Sequence, residues 1–369
     1  MPYFCFVKVG QHSFERKKKR GVILVAPLNW GLGHATRCIP IIKKLLKLGF
    51  EVVIASDSGA LSLLKQEFPE LSAAELPSYD ISYTKNGRWF KLGLLRQMPR
   101  IIRVMRDEQR ITSQLIQTYG ITGIISDNRF GVRHKSVPCV FVTHQIQVLS
   151  GWSTPLTSWM HQRIIKKFDQ CWVPDYPGAE ALAGRLSQGS DLKFPVAYLG
   201  PISRMKKLDL NLEIDILIVL SGPEPQRGML EKIMLEKFKE TQKRVILVRG
   251  VIEETIIKQE INGLEVYNFQ TSNGLERLIN SSKLVIARSG YTTVMDLAKT
   301  QTPAFFIPTP GQYEQEYLAQ RLSDNLIAPY SDQGSFDLIL LKQLKSYDGW
   351  PTSGHREKLK SLFGIFERK

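Results

Sequence analysis

Short, fully apolar runs alternate along the chain with longer amphipathic ones. GVILVAPL has the length of a strand, NWGLGHATR supplies a glycine-rich turn, and CIPIIKKLLKLG has helical spacing that stops at Gly49. EVVIASD follows as a second buried strand, which completes a β-α-β unit. Parallel strands joined by a helix cross over with a right hand and gather their loops at the strand carboxyl ends, where ligands bind. ITGIISD, VPCVFVTH and FDQCWVPD extend the pattern to roughly residue 195.

VAYLGPISRMKK then mixes Gly, Pro, Ser and cations without a clear period, as a domain connection does. Beyond it the alternation restarts with DILIVLSG, a helix through MLEKIMLEKFKE, RVILVRG, LEVYNFQ, a helix at GLERLIN, KLVIARSG, a helix at TTVMDLAKT, and PAFFIPT. The pattern predicts an α/β protein with two Rossmann-like domains whose parallel sheets face each other across a cleft. The expected divisions are a basic leader over 1–20, an N-terminal domain over 21–200, a C-terminal domain over 201–335, and a helical segment over 336–369 broken by Gly349, Trp350 and Pro351.

A length of 369 residues suits two such cores. No apolar run approaches the roughly 18 residues that a membrane span needs. The leader carries its basic cluster after its apolar stretch and lacks a small-residue cleavage site, which argues against secretion. Cys5, Cys38, Cys139 and Cys171 are widely separated with no C-x-x-C pair, so neither a disulfide framework nor a zinc site is indicated, and a cytoplasmic location is expected. The net charge of +15 predicts attraction to polyanions. With no zinc-finger spacing, RNP-like strand or basic heptads, nucleic acid is not an expected partner.

Three constellations carry candidate chemistry. Gly31-Leu32-Gly33-His34-Ala35-Thr36-Arg37 lies between a strand and a helix, where glycines permit a tight turn and the helix start attracts negative charge. Asp57 ends the next strand, near where a dinucleotide fold places its ribose-binding acid. Yet Thr36 stands where the dinucleotide fingerprint has its third Gly or Ala, and His34 in the turn is suited to act as a base. The bland alternative is that His34 caps the turn and Arg37 pairs with a surface carboxylate. The second constellation, Arg288-Ser289-Gly290-Tyr291-Thr292-Thr293 with Asp296 one turn further, follows the strand KLVI. Its helix mouth suits a diphosphate, each favourable charge contributing roughly 0.3–2 kcal/mol, and Asp296 lies in reach of ribose hydroxyls. An ordinary Ser/Thr-capped helix is the alternative. The third runs from Pro308 to Tyr317, where Gln312, Glu314 and Gln315 offer the paired donors and acceptors that sugar hydroxyls need; a solvated helix start is the alternative.

Arg288-Ser-Gly through Asp296, followed by Pro308 through Tyr317, resembles the C-terminal half of the GT-B glycosyltransferases of the peptidoglycan UDP-N-acetylglucosaminyltransferase family, in glycosyltransferase family 28. The Gly31-Leu-Gly-His34 loop matches that family's N-terminal glycine loop, and Ser221-Gly222 lies where its C-terminal domain opens. The resemblance implies an N-terminal acceptor domain and a C-terminal donor domain binding a UDP-sugar as substrate, with no further cofactor. It implies that Asp296 binds ribose, that the backbone after the Ser289-Gly290 turn meets the α-phosphate, that Phe269 and Gln270 meet uracil, that Arg204 contacts nucleotide, and that His34 lies near the transferred sugar and the acceptor. Three departures bear on specificity. The family has Glu where this chain has Asp296, and its Gly-rich loop is replaced by Pro223-Glu224-Pro225-Gln226-Arg227. Its acidic N-terminal motif becomes Thr143-His144-Gln145-Ile146-Gln147, so the acceptor does not transfer, and His144 joins the candidates for donor-sugar or acceptor contact.

Sugar transfer needs a stabilised diphosphate leaving group and removal of the acceptor's proton. With no Asp-x-Asp pair, no metal is expected, and helix dipoles with Arg204, and Arg227 or Arg288, are expected to stabilise the diphosphate. His34 and Asp127 are the candidate bases; an ordinary histidine titrates near 6.5 and is favoured, whereas Asp127 would need burial or else simply makes a turn with Asn128. Inversion is implied by the resemblance alone. Lys85, Arg88, Lys91, Arg96, Arg100, Arg103 and Arg106 interleave with Trp89, Phe90, Leu92, Leu94, Leu95 and Ile101, a basic amphipathic pattern suited to an anionic membrane and a lipid-linked acceptor, or to a helix that packs on the core. The competing readings are a nucleotide-sugar hydrolase with the same Gly-x-Gly-His-x-x-Arg loop, a sugar-nucleotide epimerase, a dehydrogenase, and a non-catalytic nucleotide-sugar-binding regulator.

Overall fold

The structure is a computed structural model that describes residues 20–79, 90–151, 153–189, 192–222, 224–251, 253–351 and 359–367. The basic leader up to residue 19, Cys5, Lys85, Arg88, Trp89 and Pro223 lie outside the described residues, as do the side chains of residues 90–97.

The first apolar runs form a parallel seven-stranded sheet from β1 (Val22–Pro27), β2 (Glu51–Ser56), β3 (Ser72–Glu75), β4 (Ile121–Asp127), β5 (Cys139–Val142), β6 (Gln170–Val173) and β7 (Val196–Tyr198), in the order β3-β2-β1-β4-β5-β6-β7. Both faces are covered, so the strands read as continuous apolar runs. On one face α1 (Gly33–Lys47) and α2 (Ser58–Glu67) bury Ile39, Ile42, Leu45 and Leu64 against Ile23, Val25 and Ile54. The other face, with Leu24, Ile124 and Phe141, packs against Leu115 of the long helix α3 (Phe90–Tyr119) and Ile165 of α4 (Thr154–Ile165).

The second set of runs forms a six-stranded sheet from β8 (Ile216–Val219), β9 (Val245–Val248), β10 (Lys258–Ile261), β11 (Leu264–Tyr267), β12 (Val285–Ala287) and β13 (Ala304–Phe306), in the order β10-β11-β9-β8-β12-β13. Its helices are α5 (Gln226–Lys237), α6 (Ser272–Asn280), α7 (Tyr291–Thr300) and α8 (Tyr313–Asp324). This sheet departs from the all-parallel expectation at its edge, where β10 is antiparallel to β11. Asn262 and Gly263 connect the two with φ of 54° and 77°. Such Asn-Gly pairs suit the tight hairpin turn in which both central residues have positive φ.

Order reverses in each sheet at a switch point, between β1 and β4 in the first and between β8 and β12 in the second. Crevices open beyond the strand ends at such points. Residues 338–344 pack on the second sheet's core, but Phe363 and Phe366 of the terminal helical turns lie in the first domain's core beside Trp172. A β-carbon at Gly123 would collide with the Phe366 ring. The last segment thus straps the two domains together.

Candidate functional site

Pro27 and Asp127 end adjacent strands in register at the first switch point, and Val219 and Ala287 do so at the second. The Gly31–Arg37 loop, Asp127, Ser221-Gly222 and Arg288–Asp296 therefore all fall at crevices. Gly31 turns the chain with φ of 73°, a conformation glycine adopts without strain, and α1 begins at Gly33. Facing it is α7, whose internal hydrogen bonding starts with Val294 N–H donating to Gly290 at 3.1 Å. The N–H groups of Tyr291, Thr292 and Thr293 stand at that helix mouth. Thr292 Oγ1 donates to the Gly33 carbonyl at 3.1 Å, so two helix N-termini meet across the cleft. A β-carbon at position 33 would lie 2.9 Å from Thr292 Oγ1, which makes glycine a condition of that approach.

Behind this junction lies a buried polar cluster. Asp127 is fully buried, and Arg37, one helical turn after His34, grips both its oxygens through Nε and Nη2. His34 Nδ1 lies 2.7 Å from Asp127 Oδ1, and Cys38 Sγ donates to Oδ2 at 3.6 Å. Burial alone would raise the Asp127 carboxyl, but Arg37 and then His34 outweigh it and hold its pKa at about 2. An ionised Asp127 accepts a hydrogen bond from His34 Nδ1–H, which leaves Nε2 as the basic nitrogen. Burial, and after it the Arg37 cation, push His34 below its ordinary 6.5 against the pull of Asp127, so the ring is neutral near pH 7. Both Asp127 oxygens are thus engaged, by His34, Arg37 and Cys38.

The cluster crosses the cleft. Arg37 Nη1 donates to His144 Nδ1 at 3.0 Å, and His144 Nε2 donates to Glu314 Oε1 of α8 at 2.8 Å. Gln145 Nε2 donates to the other Glu314 oxygen. Burial works to raise Glu314, but His144, His34 and Arg37 hold it below its usual range. His144 also stacks on Tyr291 with centroids 4.4 Å apart.

The expectations for the C-terminal domain divide. Asp296 is buried, accepts from Ser203 Oγ at 2.6 Å, and is raised to about 6 by burial against the opposing pull of Arg204 and the Ser203 bond. Arg204 Nη1 donates to Ser272 Oγ at 3.1 Å, and that hydroxyl and the Ser272 N–H both donate to Glu67 of the first domain. Burial lowers Arg204 against Asp296 and Glu67. Ser221 and Gly222 are exposed, and Thr293 and Gln312 are half-buried at their helix starts. Gln315 Oε1 accepts from Thr309 N–H at 2.8 Å, while its carbonyl accepts from Ser289 Oγ at 2.7 Å. Phe269 is buried and so offers its backbone rather than its ring; Gln270 packs against the α6 start at Gly274.

Other candidates are spent on structure. Arg288 has no exposure and donates to the carbonyls of Ile307, Pro308 and Gln226 and to Gln333 Oε1, so it does not face a diphosphate. Arg227 is paired with Glu224 and Glu231. The Tyr291 phenol donates to Pro174 O at 3.0 Å in the domain interface, so that residue offers only its backbone. Asp57 pairs with the buried Arg129, which also donates to Glu108 at 3.0 Å. A carboxylate so engaged is closed to a dinucleotide ribose. Sequence reasoning placed Arg37 in the first constellation without giving it a buried partner, and assigned no role to Gln145 or Ser203. The signal for Arg37 was its i+3 spacing from His34, which puts both on one helix face. Among the described residues no group of three or more His, Cys, Asp or Glu side chains is placed to hold a metal ion, and no helix is long and apolar enough to cross a membrane.

Residues 216–348 match the glycosyltransferase family 28 C-terminal domain. An uncharacterized glycosyltransferase of Methanopyrus kandleri is 24% identical over 291 residues, 76% of this chain and 83% of the relative. A shorter match, 33% identical over 92 residues, 24% of this chain and 28% of the relative, is to the UDP-N-acetylglucosamine–N-acetylmuramyl-(pentapeptide) pyrophosphoryl-undecaprenol N-acetylglucosamine transferase of Campylobacter fetus. Among solved structures, spinosyn rhamnosyltransferase superposes with a TM-score of 0.60 at 14% identity over 94% of this chain and 95% of that one, and it has also been solved with thymidine diphosphate.

Proposed function

We propose, from the premise that this chain is a glycosyltransferase of the GT-B fold whose residues 216–348 are a glycosyltransferase family 28 C-terminal domain, that it moves a hexosyl or N-acetylhexosaminyl group from a UDP-sugar to a glycan or lipid-linked acceptor, with inversion and without a metal. The observation that carries this reading is the meeting of the α1 and α7 mouths at Gly33 and Thr292, beside the neutral His34. Two positive helix ends suit a diphosphate.

In this mechanism the Tyr291, Thr292 and Thr293 N–H groups hold the diphosphate. Asp296, set by Ser203, takes ribose hydroxyls with Arg204 nearby, and backbone at Phe269 and Gln270 meets uracil. Glu314, Gln315 and Gln312 address the donor sugar. The acceptor hydroxyl gives its proton to His34 Nε2 as its oxygen bonds to the anomeric carbon. The bond from that carbon to the diphosphate oxygen breaks, and the departing charge settles on the α7 mouth. Asp127 stabilises the imidazolium that forms. Arg100, Arg103 and Arg106 on the exposed side of α3 suit peripheral contact with an anionic membrane from the cytoplasm.

Thermal-shift and calorimetric titration with UDP, dTDP and NAD, followed by turnover of UDP-sugars with and without acceptor extracts, tests the reading. UDP is expected to bind best, and His34→Ala to lose turnover while keeping UDP affinity. Preference for NAD, or full turnover by the variant, would overturn it. Free sugar and UDP released at an enzyme-like rate with no acceptor present would replace transfer with hydrolysis.

A further inference from the structure

Asp127 is the only anion in direct contact with His34 among the described residues, and its whole hydrogen-bonding capacity is committed. Oδ1 accepts from His34 Nδ1 at 2.7 Å and from Arg37 Nη2, and Oδ2 accepts from Arg37 Nε and, at 3.6 Å, from Cys38. A guanidinium fork on a carboxylate fixes the carboxylate plane as a single ammonium does not. Arg37 Nη2 also lies 2.8 Å from His34 Nδ1; with the Nδ1 proton given to the acceptor-only Asp127 this is a close approach of charge and not a hydrogen bond, so the same cation that fixes Asp127 sits against the imidazole it orients. Nothing in this arrangement needs Arg37 to reach a substrate, because its third nitrogen, Nη1, is held by His144 at 3.0 Å.

We propose that Arg37 is the positioning residue of the reaction: its fork locks Asp127 in the one orientation that keeps His34 protonated at Nδ1 and basic at Nε2, with its charge set against that imidazole. The inference rests on the reading of His34 as the base. His34 is faced by Arg37 from its own helix, by Asp127 from β4, by His144 from the loop after β5, and by Glu314 from α8. Of these, Asp127 favours imidazolium, while Arg37 and His144 oppose it. An isolated Asp-His pair would hold a proton on the ring well into the neutral range. Arg37 cancels that carboxylate's charge but leaves its hydrogen bond to the ring in place. The grip is completed only when the domains meet, because His144 is itself held at 2.8 Å by Glu314 of the second domain. The base is therefore in its oriented form when the donor domain closes on it.

The test reads His34 directly and needs no substrate. The chain has six histidines, so long-range proton–nitrogen spectra of histidine-labelled protein resolve each ring's titration and tautomer, and the signal lost in His34→Ala identifies position 34. In the native protein a midpoint below 6.5 and an Nδ1–H tautomer are expected. In Arg37→Gln the midpoint is expected to rise by about one unit or more, as removal of a close like charge does. Arg37→Lys, which keeps a cation without the fork, is expected to hold the midpoint low but to mix the two tautomers and to lower kcat with little change in KM for the UDP-sugar. An unchanged midpoint in Arg37→Gln would leave Arg37 as packing alone and overturn the proposal. If that variant does not fold, Arg37→Lys decides alone: native tautomer and kcat there would overturn it equally. Turnover surviving in His34→Ala would instead remove the base reading, a separate result that the titration shifts do not decide.

Discussion

Thr292 Oγ1 donates to the carbonyl of Gly33 across the domain boundary at 3.1 Å, and the two residues open helices whose positive ends converge on one crevice. Neither helix end is unusual alone. Their meeting turns two positive helix ends onto one crevice at the edge of the His34 cluster, the place proposed for the diphosphate, and a side chain at residue 33 would crowd Thr292 Oγ1.

Gly33→Ala places a methyl group 2.9 Å from Thr292 Oγ1, so the hydroxyl has to move and its bond to the Gly33 carbonyl is strained or lost. UDP affinity is expected to fall about tenfold, roughly 1.4 kcal/mol, with melting temperature nearly unchanged, because the clash is at an interface and not in a core. Calorimetry with UDP on native and variant protein checks this; native affinity would mean that the mouths do not act together.

The pH dependence of kcat/KM reports free-enzyme groups. Since burial and the Arg37 cation lower His34, the acidic limb is expected below pH 6.5, with activity level through neutrality. Rates measured at saturating and limiting UDP-sugar from pH 4.5 to 9, in that order-of-magnitude range about the ordinary histidine value, would show it. A limb above 6.5 would contradict the assigned geometry.

Asp127 has a folded pKa of about 2 against an ordinary 3.8, so it binds fewer protons in the native state between those values. Its contribution of about 2 kcal/mol is fully present above pH 4 and is lost as pH falls towards 2. Asp127→Asn is expected to lose more, about 3–5 kcal/mol at neutral pH, because it leaves Arg37 buried without its anion. Urea unfolding of both proteins between pH 3 and 7 measures the difference, and a variant as stable as the native protein would refute it.

Asp296 titrates in the opposite sense. Its folded value of about 6 lies above 3.8, so the native state binds the extra proton and stability declines as pH rises through that window, by at most about 3 kcal/mol. Asp296→Asn is therefore expected to melt at the same or a higher temperature than the native protein at pH 7.5 while binding UDP more weakly. Weaker folding with unchanged UDP affinity would place Asp296 in a structural role only.

Much of the architecture was legible because strand, turn and helix signals are local. The run GVILVAP and the turn around Gly31 carry their periods within a dozen residues, and β12 with the α7 start does the same. The hairpin at Asn262-Gly263 carried a local signal too, yet the exposed alternation KQEI lacks the apolar run by which the other strands were recognised. The chemistry at the switch points followed from the same local order, because residues after consecutive parallel strands must gather at one edge.

What the sequence alone determined, then, was the pair of alternating α/β sheets and the placing of His34, Asp127 and the Arg288–Asp296 segment at their carboxyl edges. Tertiary structure decided which polar side chains remain available. Arg288, Arg227 and the Tyr291 phenol are consumed by carbonyls and carboxylates, whereas Arg37 closes on a partner 90 positions away and His144 on one 170 away. Such pairings carry no local period: burial makes each charged or polar group seek a partner, and only the folded chain brings particular partners within reach.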